Sequence, residues 1–389
     1  MTPSALTHAA DYAVDVSDAI EPFLARWSAM QSVGASPFQS PTWLRAWYAT
    51  LGSEPGCKPV LVGVRRADAP GRDVMLLALS SRRHAGVSVV EFADAGVVDY
   101  NLPRLAADWA GDNPSEGDAA RRLWRALRGA LSAHDVLRID KMLGAALAEA
   151  VPVRNPLRLA LRTRPCAMFG NQFRPGAEWD AWRYSLDKRV RKELERSWRV
   201  FTRSAAAGYV RVTDGRQARR VLESLERLQT LRIEGLGYSY RLDEPAYRAL
   251  YRRALEGGLA NGSVVLTALV DGDDVVAALF GVANAHRFIA LRLATAGESW
   301  KQCSPGRLLL ERTAHDLHAS GFEWFDFGIG DYAYKEVFKV SRIELFDACV
   351  ALSWRGLPMA WHAALRAALK RQAWLVQIVR GRRARSQTG

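Results

Sequence analysis

The chain has 389 residues, 49% hydrophobic and 24% charged, which is the balance of a soluble globular protein long enough for two domains. No apolar run approaches the roughly 20 residues of a membrane span, so a helical integral membrane protein is excluded. The formal charge of +13 suggests a phosphate-bearing partner, but seven Lys or Arg and no acid follow Trp361, so about half the excess belongs to the tail and the body is only mildly basic.

The opening stretch MTPSALTHAADYAVDVSDAIEPFLARW carries acids where a secretion signal would carry a basic start and an apolar core, so a cytoplasmic location is expected. From Pro41 the chain reads as helix PTWLRAWYATL, strands PVLVGVRR, DVMLLALS and SVVEFADA, helix AARRLWRALRGALSA and strand DVLRID. The cysteines at 57, 166, 303 and 349 are far apart and form no CxxC pair. Neither a zinc site nor a disulfide framework is indicated, and no metal is expected.

Trp182, Leu186, Val190, Leu194 and Trp198 recur every four residues, which predicts one long connecting helix with an apolar stripe. Lys188, Arg189, Arg191, Lys192, Arg196 and Arg199 cover its other faces. With Asp187, Glu193 and Glu195 interspersed, these charges fit either a solvated face or a phosphate-steering surface. Further on, LRIEGLGYSYRLDEP is a Gly-containing loop that carries Arg232, Tyr238 and Tyr240.

SVVLTALVDGDDVVAALFGVANAHRFIALRLATA reads as three strands joined at DGDD and NAHR, an antiparallel meander. The loop GESWKQCS, a helix from Pro305 to about Ser320 and the strand FEWFDFGIG follow. The order strand, strand, strand, helix, strand therefore occurs twice. GRDVMLLAL at Gly71 parallels GDDVVAALF at Gly272, and LSAHDVLRID ending at Asp140 parallels LHASGFEWFD ending at Asp326, so the chain is read as internally duplicated. His315 and His318 lie three apart on the second helix but lack a third ligand, and surface or partly buried histidines are expected there.

At the end, Trp361, Leu365, Leu369, Trp374, Leu375 and Ile378 accompany Arg366, Lys370, Arg371 and Arg380. This is a basic amphipathic helix suited either to an anionic bilayer surface or to packing on the body.

The meander followed by a phosphate-facing helix and a further strand resembles the GNAT superfamily of N-acetyltransferases. In that fold the acyl-CoA pyrophosphate lies at the helix N-terminus after a Gln/Arg-x-x-Gly-x-Gly/Ala motif. Here the stretch is KQCSPG, with Lys301 at the basic position, Ser304 where the first glycine would stand and Gly306 at the second. Ser304 is expected to cap the helix, Pro305 to start it without wasting a donor, and Gly306 to admit close approach. PFQSPTWLRAW, VDYNLP at Val98 and SPGRLLLERTAHDLHASGFEWFDFGIGDYAYKEVFK resemble the double-domain CelD/BcsL acetyltransferases, related to the FemABX peptidyltransferases. The last passage is the most specific, through Asp326, Phe327, Gly328, Gly330, Asp331, Tyr334 and Lys335.

The resemblance implies an α/β (α+β) fold: two tandem GNAT-like domains, each a mixed, mainly antiparallel sheet flanked by helices, with a long connecting helix and a basic C-terminal helix. The expected limits are residues 20–165, 166–355 for the acyl-CoA-binding domain, and 356–389 for the tail. It implies acyl transfer from acyl-CoA, acetyl-CoA included, to a primary amine such as an amino sugar, amino acid or long-chain, lipid-like amine, in envelope or exopolysaccharide biosynthesis. Aminoacyl-tRNA is the donor in FemABX relatives, and an RNA-binding protein without acyl-CoA chemistry stays open as an alternative. Lys301, Ser304, Gly306 and Arg307 are the expected cofactor-binding residues. Asp331 is expected as base or amine orienter, Tyr334 as proton donor to the leaving thiolate, and Lys335 as neutraliser of a phosphate or carboxylate. Asp99 and Tyr100 would help select the acceptor if the halves face one another and are otherwise simply loop residues, while Arg232, Tyr238 and Tyr240 stand where the superfamily grips its acceptor, the two tyrosines serving equally as aromatic filler.

Overall fold

The structure is a computed structural model. It describes the chain except residues 1–6, 10, 33, 108, 110–115, 146, 148–152, 235–239 and 370–389; Tyr238 and the tail beyond Leu369 lie outside the described residues.

The first half runs β1 (Thr7–Ala9), β2 (Tyr12–Ser17), α1 (Ile20–Ala29), α2 (Pro41–Tyr48), β3 (Lys58–Arg66), β4 (Ala69–His84), β5 (Val87–Phe92), β6 (Arg104–Leu105), α3 (Glu116–Ala130) and β7 (Val136–Leu143). Then come α4 (Pro156–Ala160), β8 (Arg164–Phe173), α5 (Trp179–Ser185) and α6 (Lys188–Phe201). The second half runs β9 (Ala207–Arg211), α7 (Gly215–Glu234), α8 (Pro245–Gly258), β10 (Val264–Asp271), β11 (Asp274–Ala283), β12 (Arg287–Thr295), α9 (Pro305–Ala319), β13 (Trp324–Ile329), α10 (Ala333–Glu336) and β14 (Ser341–Ala351). A helix over 357–369 follows.

These strands form one 14-stranded sheet in the order β1-β2-β3-β4-β5-β7-β14-β8-β13-β12-β11-β10-β9, with β6 beside β4. Neighbours are antiparallel except β5 with β7 and β12 with β13. The expected mixed, mainly antiparallel sheet with flanking helices is therefore present, and the duplication is visible in its topology: β3-β4-β5-α3-β7 repeats as β10-β11-β12-α9-β13.

One feature lies beyond the repeat. β8 follows the first copy in sequence but pairs with β13 of the second, and β14 follows the second copy but pairs with β7 of the first. β8 and β14 also pair with each other. The halves thus exchange strands, and the join is sealed by backbone hydrogen bonds that neither half could satisfy alone.

The period-two alternation of the meander splits its side chains between two layers. Val265, Leu269, Ala277 and Leu279 pack with Leu308, Leu309 and Leu317 of α9. Leu266, Ala268, Phe280 and Val282 pack on the other face with Val221, Leu222 and Leu225 of α7 and Leu250 and Tyr251 of α8. Each fully buried leucine contributes about 1.5–3 kcal/mol. The second face also joins the halves, because Trp43 of α2 meets Tyr251 edge-on at 6.2 Å and the Tyr247 hydroxyl donates to the Ala95 carbonyl at 3.0 Å.

The connecting helix is not continuous. It breaks at Leu186 and Asp187, where the Asp187 carboxylate accepts the Arg189 N–H at 2.6 Å and starts α6 afresh. The apolar stripe still holds, with Trp182, Leu186 and Leu194 buried, while Lys188, Arg189, Lys192, Arg196 and Arg199 are exposed.

Candidate active site

The site is built where β12 and β13 part. These parallel strands pair only over Arg287–Ile289 and Trp324–Asp326; beyond that, no strand among the described residues covers the β12 edge. The divergence is held from the β13 side. Gly328 adopts φ +71 and Gly330 φ +108, conformations that favour glycine. The buried Asn171 amide donates to both of their carbonyls at 2.9 and 2.8 Å. The Lys335 ammonium donates to the carbonyls of Gly328 and Ile329 at 3.1 and 2.8 Å. Asn171, on β8, lies in a stretch where the sequence offers neither a motif nor an element to single it out.

A carboxylate from the other half enters this gap. Asp99 accepts the Ile329 N–H at 3.2 Å, and a Cβ placed on Gly328 would lie 2.5 Å from its Oδ2 and 3.1 Å from the Ala290 carbonyl. Burial pushes the Asp99 carboxyl up to about 6 against the pull of Lys141 and Lys335. Burial likewise lowers Lys335, which Asp99, Asp326 and Asp331 oppose. Lys335 is 2% exposed, and two of its donors are spent on carbonyls, so it acts first as a clamp on the strand end rather than as a surface charge.

Tyr100 is buried in the join rather than open to the gap. It is 1% exposed, and its hydroxyl donates to Asp326 at 2.7 Å across the join, while Asp326 also accepts the Gly328 N–H at 2.7 Å. Burial raises the Asp326 carboxyl to about 6 as well. Asp331 lies exposed at the rim. Tyr334 stacks on Tyr332 at 5.9 Å, and burial pushes its phenol up to about 12. Arg232 is exposed at the end of α7, close enough to influence both Tyr334 and Tyr240. The Tyr240 hydroxyl donates to Gln229 Oε1 at 2.9 Å. Asp99, Lys335 and Asp331 are thus grouped, as are Arg232, Tyr240 and Tyr334.

The N-terminus of α9 sits at the end of the sheet where β12 and β13 part. Ser304 does not cap it: its side chain makes no capping hydrogen bond, and its backbone is left-handed at φ +44, ψ +58. That conformation is the one a glycine at this position would supply, and it explains why a hydroxyl there gives no cap. The N–H groups of Gly306 and Arg307 have no acceptor among the described residues, as the first turn of a helix requires. Gly306 is needed for packing too, since a Cβ would meet Thr295 Cγ2 at 3.2 Å and Leu293 Cδ2 at 3.4 Å on β12. Arg307 is paired with Glu193 of α6 at 2.9 Å, and Lys301 is exposed in the preceding turn. The exposed cations of α6 border this helix start, since α6 packs on α9 and on the turn Glu298–Cys303. His315 and His318 flank the Trp179 ring at 5.2 and 5.6 Å, and His318 Nε2 lies 2.9 Å from the Gly176 carbonyl.

A forked strand pair with unfilled helix amides at its mouth can hold a phosphate-bearing thioester with its carbonyl at the fork. Residues 188–336 match the family described as an acetyltransferase (GNAT) domain. No curated protein matches the sequence. Among solved structures, FemX aligns with a TM-score of 0.56 and 11% identity, over 85% of this chain and 95% of that one. The C-terminal DUF2156 domain of a putative lysylphosphatidylglycerol synthetase from Agrobacterium fabrum aligns at 0.50 and 10% identity, over 89% and 97%. L-PGS from Bacillus licheniformis aligns at 0.50 and 10%, over 89% and 96%. At these identities the likeness is one of fold.

Proposed function

We propose, from the premise that residues 188–336 are a GNAT acetyltransferase domain and the chain an acyltransferase, that this protein moves an acyl group from acyl-CoA to a primary amine. The acceptor class is an amino sugar, amino acid or long-chain amine. The setting implied by the CelD/BcsL resemblance is envelope or exopolysaccharide synthesis on the cytoplasmic side. In this reading residues 166–355 hold the donor, residues 20–165 contribute the Asp99 wall, and residues 356–389 form the tail.

The observation that carries the reading is the fork between β12 and β13, opening where the Gly306 and Arg307 amides lack acceptors. The donor's diphosphate would rest on those amides, with Lys301 and the exposed α6 cations beside it. Asp99, already near neutral in its proton affinity, would take the proton from the attacking amine. As the N–C bond forms and the C–S bond breaks, Tyr334 would return a proton to the thiolate. Asp331 would orient the acceptor from the rim. Thiol release from acetyl-CoA over a panel of amines tests this, with Asp99→Asn as control. Turnover undiminished in that variant would remove Asp99 from the chemistry, and release with no amine in the panel would defeat the reading.

Aminoacyl-tRNA is the competing donor. The α6 cations serve it equally, so charged tRNA belongs in the same assay, with binding followed against salt.

A peripheral membrane contact has its own support. No helix among the described residues is long and apolar enough to cross a membrane. Yet Trp354, Leu357, Trp361, Leu365 and Leu369 form an exposed stripe at helical spacing, both tryptophans being 79% exposed, and only basic charge follows in the sequence. Sedimentation of the full chain with anionic vesicles tests this, and equal pelleting of Trp361→Asp would refute it.

A further inference from the structure

Arg292 lies on β12, three residues past the last pair with β13, and is 2% exposed. Its Nε donates to Gln229 Oε1 at 2.8 Å, and its guanidinium carbon stands 4.4 Å from the centre of the Tyr251 ring. Nη1 and Nη2 have no hydrogen-bond partner among the described residues, and the guanidinium stands close enough to the Tyr240 hydroxyl to oppose the upward push that burial gives that phenol. Gln229 is committed elsewhere, accepting from Tyr240 on the same oxygen and donating to the Leu293 carbonyl at 3.3 Å. Of the acids on the surrounding helices, Asp243 pairs with Arg248 at 2.9 Å, while Glu226 pairs with Arg252 through Oε2 at 3.3 Å and keeps its buried Oε1 without a hydrogen-bond partner among the described residues; neither acid forms an ion pair with Arg292 there.

A guanidinium cannot shed its proton to escape burial, and a buried cation whose charge no acid neutralises is among the costliest arrangements a fold can keep. Core packing does not require it, because a methionine would fill the space over Tyr251 without the charge. The two free nitrogens point from one plane, the geometry that takes a carboxylate through parallel hydrogen bonds. Tyr240, Gln229 and Tyr251 fix that plane from three sides.

We infer that Arg292 is the receptor for a carboxylate on the acceptor, so that the amine acylated at the fork belongs to an amino acid or a similar amino carboxylic acid. This rests on the acyl-transfer reading for its consequence, but the anion site stands on the geometry of Arg292 alone. Arg292 is a specificity residue in this assignment, since it touches the acceptor away from the reacting nitrogen.

Two measurements test it. In the first, free amino acids are compared with their carboxamides as acceptors. The wild type favours the acid by about a hundredfold in kcat/KM, the loss expected when one partner of a buried charged pair is removed. In Arg292→Met that ratio collapses towards one, and Arg292→Lys restores part of it. In the second, the same amino acids and amides are added to the full chain without acyl-CoA and the melting temperature is followed. The acids raise it for the wild type and not for Arg292→Met, whose own melting temperature is at or above that of the unliganded wild type. Stabilisation by the acids without any acyl transfer would sink the proposed activity and keep the anion site. An unchanged acid-to-amide ratio in Arg292→Met, or a lower melting temperature for that variant with no acid-specific shift in the wild type, would overturn the assignment and make Arg292 structural.

Discussion

Between β5 and β7 the gap left by two diverging parallel strands is occupied by the chain itself; between β12 and β13 the equivalent gap receives, among the described residues, the side chain of Asp99. In the first half Asn101 bridges Met142 as a parallel partner, its N–H donating to the Lys141 carbonyl at 3.0 Å and its carbonyl accepting from Leu143. The plug is pinned by Asp94, which accepts from Gly96, Val98 and Asn101 at 2.9 to 3.1 Å and pairs with Lys141 at 2.9 Å. Each last strand turns through a left-handed residue, Lys141 in one and Gly328 in the other. The same fork serves as a joint in one copy and as the candidate reaction site in the other. The loop that closes the first is the one that delivers Asp99 to the second.

The sharpest way to break this comparison is Asp99→Asn. The expected loss of turnover is about 10²- to 10⁴-fold, the range for removing a general base. Because burial holds this carboxyl near 6, its basic form accumulates as pH rises. The wild-type kcat/KM should climb through pH 5–7 and level off above it, and the variant should lack that limb. The same raised value means that this carboxyl favours folding below its unfolded range near 4 and loses that contribution as pH rises through about 6. Asp99→Asn should therefore melt higher than the wild type at pH 8, an opposition of stability and activity readable by calorimetry.

Asp94→Ala probes the other fork. Lys141 would be left nearly buried without its partner, at a cost of about 3–5 kcal/mol in denaturant unfolding. A loss under 1 kcal/mol would mean that the first fork is not held by this pair. Gly328→Ala should cost about 1–3 kcal/mol and slow turnover with it, because its methyl would displace the Asp99 carboxylate as well as strain the backbone. The smallest effect belongs to Ser304→Gly. Relieving φ +44 at the start of α9 should stabilise by about 1 kcal/mol without loss of donor binding, since no side-chain cap is removed. A loss of donor affinity would show that the Ser304 hydroxyl touches the phosphate.

The meander, α9 and the strand after it were legible because their hydrophobic periods are local and the turns DGDD and NAHR punctuate them. The break at Asp187 was legible in principle, since an aspartate just after Ser185 and Leu186 is a helix start. It was hidden by an apolar stripe that continues across it. Strand exchange left no local trace, because which edge β14 joins depends on partners some 200 residues away. Asp99 and Tyr100 adjoin in sequence with nothing to tell them apart, yet alternation along one short segment sends the first into the fork and the second into the join. Arg292 stands out in the sequence as a lone cation inside the apolar run FIALRLATA, where burying a charge is costly unless something pairs with it.

The exchange of β8 and β14 also sets an order of events on the ribosome. When residues 164–173 emerge, the strand they will lie against is about 150 residues from being made, and the outer edge of β7 waits longer still for residues 341–351. For that interval the nascent chain presents raw sheet edges to its surroundings. Chaperone capture during translation, and aggregation of either half when produced alone, follow from the way the polypeptide is threaded.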